Sequence, residues 1–353
     1  MYKWPLNVNN ASWVDRLRIC GFFLNPANRW TQDKFVRRYE EAFRRYVGSA
    51  RAVFVSSGST ANTLLAMMLK DKSAGLKTDR NIIVFPSTTW ATSVGPFIRE
   101  GFAPKFIDIT FDDLSIDLGQ LENYLDQNHE KVEAVFITSL LGFVPDMNRL
   151  HKIILKFKQV KFMFDNCEAT FSKDYDRTNI SSFITSTTST YFGHGTSSVE
   201  GGFIFTNSQE EYDYFVMARN HGMTRHIQSD RRDQYGNPKV DPRFDFRLIG
   251  NNFRNTDINA FIGLLDFKRI ESYIERRSEL YEKFLDNIDD LRYITVRSRE
   301  VIGNGESVPF CLPIICRSTP DKEEARERKL RVTSACERLG IETRPIISGF
   351  LGY

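Results

Sequence analysis

Residues 53–62 read VFVSSGSTAN: an apolar run, a Ser/Gly turn, and the opening of a helical pattern. A strand that ends in a tight turn and feeds a helix aims free backbone N–H groups and the positive end of the helix dipole at one point, where a phosphate binds well. Gly58 lets the backbone come close to such an anion, and Ser59 and Thr60 offer hydroxyl donors. A capped helix after a turn has the same letters, so the stretch takes its meaning from what surrounds it.

Outward from that turn, β-rich runs at Ala52–Val55, Asn81–Phe85, Pro104–Ile107, Val132–Thr138, Lys161–Phe164 and Gly202–Thr206 alternate with helical patterns such as Thr60–Lys70 and Met147–Phe157. This alternation predicts βαβ units, hence an α/β fold with a large, mostly parallel sheet covered by helices. The first fifty residues read as loop followed by helix, with Phe35, Tyr39, Phe43 and Tyr46 at helical spacing. Beyond residue 225 a polar stretch containing Gly236-Asn237-Pro238 and Asp241-Pro242 reads as a long surface excursion. A long amphipathic helix follows, carrying Phe267, Ile270, Ile274, Tyr281, Phe284 and Ile288 on one stripe. Arg292–Tyr353 reads as short strands around one helix at Glu323–Leu339. Residues 1–250 are expected to form an N-terminal segment and large domain, and 251–353 a linking helix and small C-terminal domain.

The chain has 353 residues, 41% hydrophobic and 26% charged, as in ordinary soluble globular proteins. Its 48 basic against 45 acidic residues are too balanced for a dedicated nucleic-acid binder. No apolar run is long enough to cross a bilayer, and the first residues lack a basic-then-apolar export signal, so a cytoplasmic protein is expected. Five scattered cysteines, with no C-x-x-C pair and no zinc-type histidine spacing, argue against disulfides, a metal site or an iron–sulfur cluster.

Three further segments carry chemistry. Residues 85–90, FPSTTW, follow a predicted strand, where ligands gather in open parallel sheets; Trp90 there either stacks on a planar ligand or packs on a helix. Residues 162–168, FMFDNCE, put Asp165 at the end of an apolar strand, where a carboxylate needs a partner. A cationic heterocycle would serve, and so would a helix N-terminus. Residues 189–202, STYFGHGTSSVEGG, set His194 in a Gly/Ser-rich loop.

Phosphate turn, Trp, Asp and Ser-rich loop, in this order, resemble pyridoxal-phosphate enzymes of the aspartate-aminotransferase fold (fold type I). In detail the chain resembles the DegT-type family of sugar-nucleotide aminotransferases and dehydratases. The resemblance rests on SSGSTAN, VFPSTTWATSV, LLGFVPDM, FDNCEA, SSVEGG, GNNFRNTDINAFIG and GIETRPI, which run through nearly the whole chain. It implies pyridoxal 5'-phosphate or pyridoxamine 5'-phosphate as cofactor. Gly58, Ser59 and Ser189 would hold the phosphate, Trp90 would stack on the ring, and Asp165 would meet the protonated ring nitrogen. Glu168 would steady the ring's hydroxyl side. Asn252 would reach the phosphate of a neighbouring subunit, which implies a homodimer with shared sites. His221, Arg225 and Arg344 are candidates for binding the substrate; Arg225, Arg247 and Arg344 would take its diphosphate, because guanidinium groups pair well with phosphates, and surface salt bridges are the alternative.

Position 194 departs from the family. Most members carry there the lysine that forms the Schiff base, whereas the sugar-nucleotide 3-dehydratases of the family carry histidine. The resemblance therefore implies loss of the C3 hydroxyl from a nucleotide-linked 4-keto-6-deoxy sugar, GDP-linked by preference. It proceeds through a ketimine with release of ammonia, and L-glutamate restores the pyridoxamine form. His194 would be the acid–base group, as imidazole can take and give a proton near neutrality. A sugar aminotransferase without its usual lysine, and a noncatalytic sugar-nucleotide-binding member, are the alternatives. Members of the family continue beyond the point matching Tyr353, so a shortened small domain is expected.

Overall fold

Along the central strands alternate side chains part to opposite faces, and the buried residues follow that period of two. The computed structural model describes residues 2–5, 11–71, 80–111, 113–173, 178–235, 239–287, 294–296, 307–316 and 321–346. Two helices come first, α1 (Trp13–Leu24) and α2 (Lys34–Val47). The alternating region runs β1 (Arg51–Val55), α3 (Gly58–Lys70), β2 (Ile82–Pro86), α4 (Ala91–Arg99), β3 (Ala103–Ile107), α5 (Leu118–Asn128), β4 (Val132–Thr138), α6 (Met147–Lys156) and β5 (Lys161–Asp165). Then follow β6 (Ser186–Ser189), β7 (Gly202–Thr206), α7 (Gln209–Ala218) and α8 (Ser229–Tyr235). The remainder is α9 (Asp257–Phe267), α10 (Ile270–Asp286), β8 (Ile294–Val296), β9 (Ile314–Cys316) and α11 (Lys322–Arg338).

Seven strands form one sheet in the order β1-β7-β6-β5-β4-β2-β3, and β8 pairs with β9 in a separate sheet. On one face Val53, Val55, Phe85, Phe136 and Ile204 pack with Leu64, Leu65, Met68, Phe97 and Phe215 of α3, α4 and α7. On the other, Phe54, Phe203 and Phe205 meet Val36, Tyr39 and Phe43 of α2, while Val84, Val135 and Phe164 meet Leu121, Leu125, Leu150 and Ile153 of α5 and α6. Each fully buried side chain of this size contributes about 1.5–3 kcal/mol. The result is a three-layer α/β/α domain whose strand ends present their loops along one edge of the sheet.

The parallel sheet was expected; the antiparallel β7, paired with both β1 and β6, was not. Sequence reading also lacks β6, whose residues Ser186, Thr187, Thr188 and Ser189 have no apolar run to announce them although all are buried. The long amphipathic helix expected from Phe267 starts at Ile270 as α10: Phe267 ends α9, the chain turns at Lys268–Arg269 and sends the Arg269 side chain to Asp15 and Asp266, and Ile288 lies outside the described residues. The N-terminal region holds a further helix, α1, started by a Ser12–Asp15 capping box. The long excursion contains α8 and a short turn of 3₁₀ helix at Pro242–Phe244; Gly236-Asn237-Pro238 lies outside the described residues, as does everything after residue 346.

Candidate active site

The turn after β1 is built by a second capping box. Ser57 Oγ accepts the Thr60 N–H at 3.1 Å and Thr60 Oγ1 accepts the Ser57 N–H at 2.9 Å. Gly58 opens α3 in a tight place: a Cβ there would stand 3.0 Å from Cys167 Sγ and 3.1 Å from Ser189 Cβ, and both neighbours would have to give by a few tenths of an ångström. Gly202, the first residue of β7, crosses so close behind this turn that a Cβ would run into the backbone of Ser57 and Gly58. Gly58, Ser189 and Cys167 are thereby gathered at one helix N-terminus. Ser59 points its hydroxyl to Thr92 Oγ1 at 2.9 Å, tying the start of α3 to α4.

Asp165 ends β5 at 3% exposure. Its Oδ2 accepts the Asn62 amide at 2.9 Å and the Ser93 hydroxyl at 2.7 Å, and its Oδ1 accepts the Cys167 N–H at 3.1 Å. Asn62 is itself oriented, for Thr187 Oγ1 donates to its carbonyl at 2.6 Å. The three donors are neutral, so the buried negative charge is oriented and solvated but left for a cation to neutralise. Asn62, Ser93 and Thr187 escaped the sequence reading, although Asn62 lies inside the quoted SSGSTAN phrase and Ser93 inside VFPSTTWATSV. Trp90 stands half-exposed just before α4.

His194 sits in the loop between β6 and β7. Its Nδ1 lies 2.9 Å from the Cys167 carbonyl; a carbonyl only accepts, so Nδ1 carries the hydrogen and Nε2 keeps its lone pair. The ring lies 5.5 Å from that of Phe310. Burial pulls the imidazole down to about 4, helped by the positive charge of Arg344 and Arg277 and opposed by the Cys167 carbonyl and Asp165. At neutral pH it is an uncharged base. Burial also pushes the Cys167 thiol up, so that residue is no thiolate nucleophile.

Glu168 accepts the Leu141 N–H at 2.8 Å and pairs with Arg344 at 3.2 Å; burial raises its carboxyl above the usual range. Arg344 thus belongs beside Glu168 and His194. The remaining candidates form another group. His221, strained at φ 62°, places Nε2 3.5 Å from Arg254 Nη2, and Arg254 Nε donates to the exposed Asn252 at 2.8 Å. Arg225 turns to His226, and Arg247 pairs with Asp245 at 2.7 Å. Within this chain, then, Asn252 and His221 make their contacts with each other's neighbours, and the segment is tied to the start of the turn after β1 by the Ser56 N–H, which donates to the Phe253 carbonyl at 3.0 Å. Among the described residues no helix is long and apolar enough to cross a membrane, and no cluster of His, Cys, Asp and Glu could hold a metal.

A cradled helix N-terminus beside a buried carboxylate at a strand end, within this three-layer sheet, defines the aminotransferase-like fold of type I, a pyridoxal-phosphate-binding architecture. The chain belongs to the DegT/DnrJ/EryC1/StrS aminotransferase family, whose profile matches residues 24–348. It is 30% identical over 327 residues to the GDP-4-keto-6-deoxy-D-mannose 3-dehydratase of Yersinia pseudotuberculosis, covering 92% of this chain and 79% of that one. The Escherichia coli enzyme of that name, solved with bound hydrated PLP, superposes with a TM-score of 0.87 at 27% identity, covering 99% of this chain and 87% of the other. A structure of such a dehydratase with a trapped PLP-glutamate geminal diamine gives a TM-score of 0.86 at 26% identity, with coverage of 99% and 87%.

Proposed function

We propose that the protein is a pyridoxamine-phosphate-dependent 3-dehydratase of a nucleotide-linked 4-keto-6-deoxy sugar, GDP-linked, working as a cytoplasmic homodimer with glutamate as amino donor. The observation that carries this reading is the imidazole at 194. It occupies the loop where an aminotransferase of this family carries its lysine, and its Nδ1 hydrogen bond leaves Nε2 as a base without the means to bind the cofactor covalently.

The site suits the cofactor on two counts: α3 opens at Gly58 beside Ser189, so that backbone N–H groups and a hydroxyl are gathered at a helix N-terminus, and Asp165 is a buried carboxylate held by neutral donors. When bound, the cofactor supplies an amine that condenses with a ketone and an electron sink for the bonds next to it. The N–H groups at Gly58 and Ser59, with the Ser189 hydroxyl, hold the phosphate. Asp165 keeps a proton on the ring nitrogen, and Trp90 covers the ring. Glu168, raised by burial and paired with Arg344, would stand on the hydroxyl side of the ring, and His221 and Arg225, with Arg344 where an incoming anion displaces Glu168, would meet the anionic groups of sugar nucleotide and glutamate. His194 Nε2 accepts a proton and returns it to the departing C3 hydroxyl, a service worth about 10²–10⁴ in rate. Over a full cycle C3–OH becomes C3–H, glutamate becomes 2-oxoglutarate, and ammonia leaves, which balances with no other reductant. The test is His194→Asn: dehydration should be lost while pyridoxal phosphate still binds noncovalently. Dehydration that survives the substitution would assign the proton transfer elsewhere.

A further inference from the structure

Resting on that reading, we propose that Asp266 is the positioning residue for His194: from α9 it anchors the loop that carries the imidazole. His194 lies between Gly193 and Gly195, residues that give the backbone freedom and no rigidity of their own. Its near side is tied by its N–H to the Tyr191 carbonyl at 3.0 Å and by Nδ1 to Cys167. Its far side is tied back to β6 by the Ser198 N–H, which donates to the Thr190 carbonyl at 2.9 Å, and between that tie and the imidazole residues 196–197 are held by the Asp266 carboxylate. Asp266 Oδ2 accepts the Ser197 N–H at 2.8 Å and the Thr196 hydroxyl at 3.0 Å, two and three residues beyond the imidazole.

The same carboxylate is fixed from behind. Its Oδ1 accepts Arg269 Nη2 and the Tyr273 hydroxyl, both at 3.0 Å, and Arg269 reaches on to Asp15 of α1 at 2.5 Å. Asp266 is buried to 9% exposure, and Arg269 supplies the cation that such burial requires. Four donors converge on two oxygens, so the anion is the only side-chain form that serves them all. An amide would turn its NH₂ toward either the loop pair or the Arg269–Tyr273 pair and leave donor facing donor. The four groups bonded to Asp266 are Thr196, Ser197, Arg269 and Tyr273, none of them among the residues proposed to hold the cofactor; it acts through where it holds residues 196–197.

The test compares Thr196→Val, which removes a bond on the loop side, and Asp266→Asn, which sets donor against donor at the carboxylate, with Tyr273→Phe, which removes a bond from the side away from the loop. For the first two, kcat should fall about 10–100-fold, the scale of a displacement of about 1 Å at a reacting group, with KM and pyridoxal-phosphate affinity within about twofold of wild type. NMR titration of the His194 ring in the apoprotein should show its pKa moving from about 4 toward the free value near ~6.5 as the loop opens to water. Tyr273→Phe leaves both loop-side bonds and Arg269 in place, so it should lower the urea midpoint while reducing kcat and shifting the titration less than either loop-side variant. Unaltered titration in both loop-side variants, or kcat lost equally in Tyr273→Phe, would overturn the proposal. The titration needs no turnover, so a wild type without dehydratase activity would refute the functional reading while the titration still decides the role of Asp266. If Asp266→Asn does not fold, Thr196→Val alone decides it.

Discussion

Acidification should destabilise the folded apoprotein through His194 by an amount that follows from its surroundings. The ring is packed near Phe310 with Nδ1 bound to the Cys167 carbonyl, and burial holds it at about 4, whereas in an unfolded chain it titrates near ~6.5. The folded pKa is the lower one, so as pH falls below about 6.5 the unfolded chain takes up a proton that the folded one refuses, and stability drops. At ~1.4 kcal/mol per pH unit, the step from about 6.5 down to pH 5.0 costs about 2 kcal/mol. Stability from this group is complete above about 6.5 and is lost progressively down to about 4. Urea, which leaves charges unscreened, should be used to measure unfolding of wild type and His194→Gln apoprotein at pH 7.5 and 5.0. His226, also lowered to about 4 by burial, titrates in both proteins and cancels in the difference. Wild type should lose about 2 kcal/mol more than the variant. Equal losses would refute the buried, neutral imidazole and the base assignment built on it.

Three further outcomes follow from the site. Gly202→Ala, whose methyl would meet the backbone of Ser57 and Gly58, should cost about 1–3 kcal/mol and weaken pyridoxal-phosphate binding in a fluorescence titration; unchanged affinity would show that the turn has slack. Asp165→Asn sets an amide N–H against either the Cys167 N–H or the Asn62 amide, so it should destabilise by about 1–3 kcal/mol and lower cofactor affinity about tenfold or more, and full affinity would remove Asp165 from the site. His194→Lys should let borohydride fix pyridoxal phosphate to the chain, which wild type resists, while dehydration is lost; fixation to wild type would reveal another lysine at work.

The segments carrying apolar periodicity were legible in the sequence: β1, β2, β4, β5 and β7, and the helices α2, α3, α6 and α11, lie within a few residues of where pattern places them. The turn at Ser57–Gly58, the strand-end place of Asp165 and the loop place of His194 were legible as well, because a Gly, an end-of-strand carboxylate and a Gly-flanked imidazole are local marks; their roles are proposals. What stayed hidden depends on contacts across the fold. The strand β6 is four hydroxyl residues, buried because Thr187 finds Asn62, Thr188 finds Thr170 and Ser186 finds Ser181. Asn62 is 103 residues from the Asp165 it orients. The break between α9 and α10 falls within an unbroken amphipathic pattern, and the draw of Arg269 toward Asp15, 254 residues away, is visible only in three dimensions.

The central claim is that the imidazole at 194 directs this aminotransferase-like site to dehydration. It is met most directly by identifying the product. The protein should be incubated with GDP-4-keto-6-deoxymannose, pyridoxal phosphate and L-glutamate, and the sugar nucleotide and ammonia quantified together. A dehydratase yields a 3-deoxy-4-keto sugar nucleotide with one ammonia released for each molecule formed. A 4-amino sugar nucleotide without free ammonia, or unchanged substrate, would contradict that claim.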